Sequence, residues 1–135
     1  MPILLGAADA MFQQALDYSK QRVQFERVIG SFQGVKHALA DMITGLEPSR
    51  ALVWYATHAQ TEMPRDEAHR LACHAKAHLA EVGRMVARAA TEVHGGMGFT
   101  DDLGLHYWFK RIGLDRQLLG SPEQIRAEAA AAMVA

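Results

Sequence analysis

The sequence has little of several features that would place it in a specialised class of protein. It has one cysteine, Cys73, among 135 residues, which excludes an intramolecular disulfide. A formal net charge of -1 gives no electrostatic case for binding nucleic acid or an anionic membrane. No apolar run approaches the roughly 20 residues of a membrane span, and the first residues do not resemble a signal peptide. We therefore expect a cytoplasmic protein with one core.

Strand patterns are also lacking, and the remaining pattern is helical. β-branched residues are sparse and never alternate with polar residues over a strand length, so the sequence predicts no strand. Alanine is abundant, which favours helix. Apolar residues recur at steps of three and four, the spacing of one helical face. The predicted helices are Leu4 to Arg22, Phe32 to about Thr61 with a kink at Pro48, Leu71 to Val93, Leu105 to Ile112, and a short one that begins at Pro122. In the third of these helices, His78 is predicted to lie on the inner face.

Short connections between these segments indicate the arrangement of the helices. Ser31 is the expected N-cap of the second helix, and Asp101 or Asp102 that of the fourth, because these side chains accept hydrogen bonds from the first turn. Proline is favoured at the first position of a helix, as at Pro122. Together the segments predict one all-α domain over residues 1–135. Its architecture is an antiparallel, up-down four-helix bundle with a short additional C-terminal helix.

Two irregular segments contain more charged, polar, aromatic or glycine residues than a simple turn between helices requires. One is RVQFERVIGSFQ, from Arg22 to Gln33, and the other is HGGMGF, from His94 to Phe99. Glycines after a helix let the backbone approach a ligand closely, and exposed backbone N–H groups can bind phosphate oxygens. Taken singly, each segment also has an ordinary interpretation, as a helix stop or as a solvent-facing helix end.

Three motifs, taken in order, carry a resemblance to a known family. They are RVQFERVIGSFQGVKHALADM from Arg22 to Met42, EVHGGMGFTDD from Glu92 to Asp102, and HYWFKR from His106 to Arg111. Their residues and spacing are similar to the pattern R-x-x-F-G-x-x-I-x-x-F-Q, then G-G-x-G-[FY], then a helix that ends in a basic residue. Over nearly its whole length the chain resembles the C-terminal helical domain of acyl-CoA dehydrogenases.

The resemblance implies a cofactor and a set of residues that bind it. Members of the family are flavoenzymes that oxidise acyl-CoA thioesters to 2-enoyl-CoA, with FAD as hydride acceptor. Their C-terminal bundle packs against a second subunit and reaches the adenosine diphosphate part of that subunit's FAD. By this resemblance Arg22 neutralises the pyrophosphate, and the glycines supply backbone. The implied FAD-binding residues are Arg22, Gln24, Phe25, Gln33, Glu92, Val93, His94, Gly95 and Gly96.

The sequence departs from the family pattern at several positions. Glu26 replaces the usual glycine after the phenylalanine, and Glu92 replaces a common glutamine. Many members place a catalytic glutamate where this chain has Leu119, which cannot accept a proton. Other members carry the base upstream of the region that corresponds to Met1. We therefore predict no catalytic residue within the chain.

The family's N-terminal helical domain and middle β-domain have no counterpart in this sequence. The chain is thus expected to be the tail of a longer protein, the product of a truncated reading frame, or a small subunit completed by a partner. We expect it to form a homo-oligomer, either a dimer or a tetramer, or to bind a larger dehydrogenase subunit. Acyl-CoA would bind only in a complete assembly. The alternative is a non-catalytic bundle that serves for oligomerisation or docking.

Metal binding is a third interpretation. His74 and His78 lie four residues apart, as do His69 and Cys73, a spacing that can bind a metal on one helical face. Metal sites in helical bundles usually also need carboxylates on facing helices, and no Glu-x-x-His motif occurs. The sequence therefore predicts no metal site, and it predicts Cys73 as a core residue.

Overall fold

Five α-helices account for most of the chain. The computed structural model describes residues 1–134. The helices are α1 (Pro2–Gln21), α2 (Gln33–Glu62), α3 (Arg65–His94), α4 (Leu105–Gln117) and α5 (Pro122–Val134). The first four run alternately up and down, so the predicted all-α, up-down architecture is confirmed. The additional helix, α5, is as long as α4 and packs against α3.

Helix α3 is the centre of the bundle, and its small side chains explain why. It contacts α1, α2, α4 and α5, and alanine is the commonest of its buried residues. At Gly83, a Cβ atom would lie 3.1 Å from Leu4 Cδ1, so the absence of a side chain lets α1 approach. Larger apolar residues from the neighbouring helices fill the remaining space, each worth about 1.5–3 kcal/mol when buried. The largest fully buried ones are Met11, Met42, Leu46, Leu105 and Ile112, and they meet Leu79 and Val86 of α3 itself in the same core.

Helix α2 continues through Pro48 and ends at Glu62, one residue beyond its predicted end. Proline lacks the N–H that would bond the carbonyl of Thr44. Both residues lie on the exposed face of the helix, where water can replace the missing donor. The apolar pattern after Pro48 predicts that Trp54 and Tyr55 continue the inner face of this helix, but both side chains are exposed.

A short hairpin between α1 and α2 contradicts the prediction that the chain has no strand. Strand β1 (Val23–Gln24) pairs antiparallel with β2 (Arg27–Val28). The turn residues Phe25 and Glu26 have φ angles of 52° and 63°, the left-handed pair of a two-residue hairpin. Two residues per strand are too few for an alternating pattern to be visible. The positive φ at Glu26 also explains why glycine suits that position.

The predicted N-caps are wrong, because Phe32 holds the cap position of α2 and Gly104 that of α4. The Ser31 hydroxyl donates to the carbonyl of Val28 at 2.7 Å, and α2 begins after Phe32 without a side-chain cap. Helix α4 begins after Gly104, whose φ is 62°. Asp101 lies three residues before that glycine, and its carboxylate is 3.4 Å from His106 Nδ1.

Two further predictions about burial have opposite outcomes. His78 is exposed, because Ala77 and Leu79 occupy the inner face of α3 at that point. Cys73 is buried as predicted, in a small cluster with Ala77 of α3 and with α5 residues Ile125 and Ala129. Within residues 1–134, no helix combines the length and the apolar character that crossing a membrane requires.

Candidate functional site

The bundle has a cavity at each of its two ends. Helices α1 and α3 both begin at one end of the bundle and finish at the other, so their last turns lie side by side. There α1 leads into the hairpin and α3 leads into a 3-10 segment, Gly95–Phe99, which we call the glycine turn. The cavity between them has a volume of about 380 Å³. Its lining residues are Tyr18, Arg22, Gln24, Ile29, Val93, His94, Gly95, Gly96 and Met97.

The backbone conformation of the glycine turn requires glycine at Gly95. At Gly95 and Gly96 the lack of a side chain also leaves the backbone open. Gly95 has φ 58° and ψ −139°, a region that glycine alone adopts readily. No neighbouring atom lies within 4 Å of the place where a Cβ would stand on Gly95 or Gly96. Both residues are exposed. The peptide groups of the turn are therefore accessible to a bound molecule.

The charge of this cavity depends on Arg22. Helices α1 and α3 both end here, and a helix C-terminus carries a partial negative charge of about half a unit. An anion would be repelled by these two ends unless a cation were present. Arg22, the residue that follows α1, supplies the only guanidinium among the lining residues. An anionic ligand at this place would depend strongly on that one side chain.

His94 anchors the end of α3 beneath the cavity. Its ring is buried, with 4% of the residue exposed, and lies 4.5 Å from the ring of Tyr18. Nδ1 is 2.7 Å from the carbonyl oxygen of Ala90. Because a carbonyl can only accept, Nδ1 is the donor of this hydrogen bond. This pair of contacts fixes the ring orientation and ties α1 to α3.

The structure brings six of the nine predicted FAD-binding residues to this cavity, and three do not line it. Phe25 stands at the tip of the hairpin, 87% exposed, with its ring edge-on to Phe32 at 6.2 Å. The Gln33 amide lies 3.3 Å from His37 Nε2 on the surface of α2. Glu92 is exposed on α3. These three side chains are directed to solvent, where only a second molecule or a larger ligand would meet them.

Sequence reasoning missed three lining residues, Tyr18, Ile29 and Met97. Tyr18 lies four residues before Arg22 on the same face of α1, so helical spacing was a signal that could have found it. Ile29 and Met97 have no such signal, because they reach the cavity through the fold of the hairpin and the glycine turn.

Leu119, at the position of the expected base, lies at the other end of the bundle. It has φ 62° and is 86% exposed, and it borders a cavity of about 370 Å³ between the start of α1, α3 and α5. The carboxylates that line this cavity are Asp115 and Glu128. Asp115 is buried and accepts a hydrogen bond from Arg111 Nε at 3.0 Å. Asp101, Asp102 and Glu123 do not line this cavity.

The fold and the sequence motifs agree with a known family. Residues 2–134 match the family model of the acyl-CoA dehydrogenase C-terminal domain. The chain therefore belongs to the acyl-CoA dehydrogenase family, as its C-terminal helical domain.

Individual relatives give the same result. The acyl-CoA dehydrogenase IpdE2 of Mycobacterium tuberculosis is 38% identical over 121 residues, which is 90% of this chain and 36% of that protein. The 3-sulfinopropanoyl-CoA desulfinase of Paraburkholderia xenovorans is 41% identical over 103 residues, 76% of this chain and 26% of that protein. The butyryl-CoA dehydrogenase structure from Megasphaera elsdenii superposes with a TM-score of 0.91 at 28% identity, over 98% of this chain and 34% of that one. The chain thus spans about a quarter to a third of the length of these relatives.

Proposed function

We propose that this chain supplies part of an FAD site, the part that holds the adenosine diphosphate, in an acyl-CoA dehydrogenase assembly. The observation that carries the proposal is the cavity at the glycine turn. Six residues implied by the family resemblance, from segments about 70 residues apart in the chain, line one cavity there.

The chemistry of the lining residues fits a dinucleotide phosphate. Arg22 offers a guanidinium, whose planar fork suits phosphate oxygens. Gly95 and Gly96 offer open backbone that a ligand can approach closely. The buried His94 and the half-buried Tyr18 form a wall behind them. A bound FAD supplies the hydride-accepting chemistry, while these residues bind and orient its adenosine diphosphate part.

The complete reaction needs more than this chain. The family reaction is the α,β-dehydrogenation of an acyl-CoA thioester, and residues 1–135 correspond to a minority of each relative. We infer that the acyl-CoA pocket and the remaining FAD contacts belong to other domains. The cofactor would be shared with a second subunit in a dimer or tetramer. The exposed aromatic side chains Phe25 and Phe99 support this inference, because they lie next to the cavity segments and expose apolar surface.

A non-catalytic role in oligomerisation or partner binding is the second candidate. The observation that favours it is Leu119, an apolar residue at the position where many relatives have a catalytic glutamate. Such a bundle would use the same exposed apolar residues for association and would bind no flavin. The two candidates therefore differ in one measurable property, the retention of FAD.

The test is the visible absorbance spectrum of the purified chain after FAD has been added and the excess removed. We expect a retained flavin band, and we expect Arg22→Ala to weaken FAD binding by roughly 1.5–3 kcal/mol, the scale of a charge-assisted hydrogen bond. The matched control is Arg65→Ala, which removes an exposed arginine at the opposite end of α3. Equal affinities of Arg22→Ala and the parent chain would refute the role of Arg22. No flavin band at all would mean that the chain alone is an incomplete piece of the site, to be completed by the other domains or a partner subunit.

A further inference from the structure

Three side chains converge at the wall of the cavity beside Leu119. His69 and Cys73 lie one turn apart on α3, and Glu128 comes from α5. His69 Nε2 is 2.9 Å from Glu128 Oε1 and 3.6 Å from Cys73 Sγ. The thiol, imidazole and carboxylate atoms all lie within 4.8 Å of one another. All three residues also line the cavity.

The geometry argues against a nucleophilic cysteine. In a catalytic triad the base uses one ring nitrogen for the nucleophile and the other for the orienting carboxylate. Here the thiol and the carboxylate both face the same nitrogen, Nε2 of His69. The ring therefore cannot accept the thiol proton at Nε2 while Glu128 holds a proton on Nδ1.

We propose that His69, Cys73 and Glu128 form a binding site for a divalent zinc ion, with a fourth coordination position open to the cavity. Imidazole nitrogen, thiolate sulfur and carboxylate oxygen are the donors that zinc prefers. A tetrahedral ion with ordinary bond lengths separates its nitrogen and sulfur ligands by about 3.6 Å, and its nitrogen and oxygen ligands by about 3.3 Å. The first separation is already present between His69 and Cys73. The second requires the exposed Glu128 side chain to move outward by about 0.4 Å.

The charges of the site balance when the ion is bound. A doubly charged cation with one thiolate and one carboxylate is neutral, which suits a site at the edge of an apolar cavity. Burial, and then the nearby Glu128 charge, raise the pKa of the Cys73 thiol. A cysteine that ligates zinc is a thiolate, so the ion takes the place of the thiol proton. Binding replaces the S–H bond with a sulfur–zinc bond and releases that proton to the solvent.

The other cation beside the cavity does not occupy this place. The Lys76 ammonium donates to the carbonyl oxygens of Leu118 and Gly120 at 2.6 and 2.7 Å. The proposal departs from the expectation drawn from the sequence, which excluded a metal because no carboxylate was placed on a facing helix. Packing of α5 against α3 supplies that carboxylate, 59 positions along the chain from His69.

The test uses Co²⁺ as a spectroscopic probe on the full chain, followed by competition with Zn²⁺. We expect a thiolate-to-cobalt charge-transfer band, visible bands of tetrahedral intensity, and displacement of cobalt by one equivalent of zinc. Calorimetry in two buffers of different ionisation enthalpy should show the release of about one proton per zinc. Absence of the charge-transfer band would overturn the proposal.

Variants separate a three-ligand site from a metal bound at the thiol alone. We expect Cys73→Ser to abolish the charge-transfer band and Glu128→Gln to weaken zinc binding by more than about 100-fold, since even partners outside the coordination shell are worth 10–100-fold. The controls are His74→Ala, an exposed histidine on the same helix, and Glu123→Gln, an exposed glutamate on α5. Circular dichroism would confirm that each variant keeps its helices. Unchanged affinity in Glu128→Gln, or an equal loss in His74→Ala, would show that the site as proposed does not exist.

Discussion

The cavity at the glycine turn and the cavity beside Leu119 differ in how the chain assembles them. The first is built from helix ends and turns, so all its lining residues except Tyr18 lie in two short segments, Arg22–Ile29 and Val93–Met97. The proposed ligands at the second are side chains on the faces of two helices, His69 on α3 and Glu128 on α5, which only tertiary packing brings together. A site made of turns is visible in a sequence, whereas a site made between helix faces is not. The two ends also differ in what stabilises them, and three substitutions test that difference.

The largest expected effect is at the glycine turn. A Cβ added at Gly98 would lie 2.7 Å from the carbonyl oxygen of Thr91 and 3.2 Å from His94 Cβ. We expect Gly98→Ala to lower the free energy of unfolding by about 1–3 kcal/mol, because the backbone must shift to make room. The measurement is the midpoint of urea unfolding at unchanged slope.

The matched control for this substitution is Gly96→Ala, two residues earlier in the same turn. No atom lies within 4 Å of its Cβ position, so the free energy of unfolding should change by no more than about 0.5 kcal/mol. Equal losses in Gly96→Ala and Gly98→Ala would mean that the turn does not pack against α3 as described.

An intermediate effect on the free energy of unfolding is expected at the end of the bundle beside Leu119. There a hydrogen-bonded lysine, not close packing, stabilises the turn. Lys76 ties the turn after α4 to α3 through its bonds to Leu118 and Gly120. We expect Lys76→Met to lower the free energy of unfolding by about 1–2 kcal/mol, since two carbonyls lose a charged donor but remain near solvent. Lys36→Met, at an exposed lysine of α2, is the control. A loss in Lys76→Met no larger than in Lys36→Met would contradict a structural role for this lysine.

The smallest expected effect has the opposite sign. Leu119 holds a left-handed conformation, which costs a side chain roughly 1–2 kcal/mol and asparagine less. It is 86% exposed, so little apolar burial is lost on substitution. We expect Leu119→Asn to raise the free energy of unfolding by about 0.5 kcal/mol. Leu118→Asn, at a neighbour with φ −61°, should bring no gain. Destabilisation by Leu119→Asn would show that Leu119 makes apolar contacts in solution.

The helices could be predicted from the sequence because their apolar spacing and alanine content are local signals. The family motifs also located most of the first cavity, since the glycines and Arg22 are close to helix ends. The hairpin was missed because two residues per strand carry no alternation. The caps at Ser31 and Asp101 were wrong because Ser31 ends a 3-10 turn before the extended Phe32, and the left-handed Gly104 precedes α4. Backbone angles of that kind leave no periodic trace. The placement of Glu128 beside His69 depends on the angle at which α5 packs, which no spacing along the chain encodes.

The exposed aromatic residues have a consequence for how the isolated chain behaves in solution. Phe25, Trp54 and Phe99 are each at least 71% exposed, and they project from a surface that has almost no net charge. The isoelectric point is about 6.6, so molecules near neutral pH repel one another only weakly. Their exposed apolar side chains can then associate. Colloidal stability should therefore be lowest near that pH and improve as the buffer becomes more alkaline. Light scattering across a pH series would show how much of the chain's self-association comes from this apolar surface.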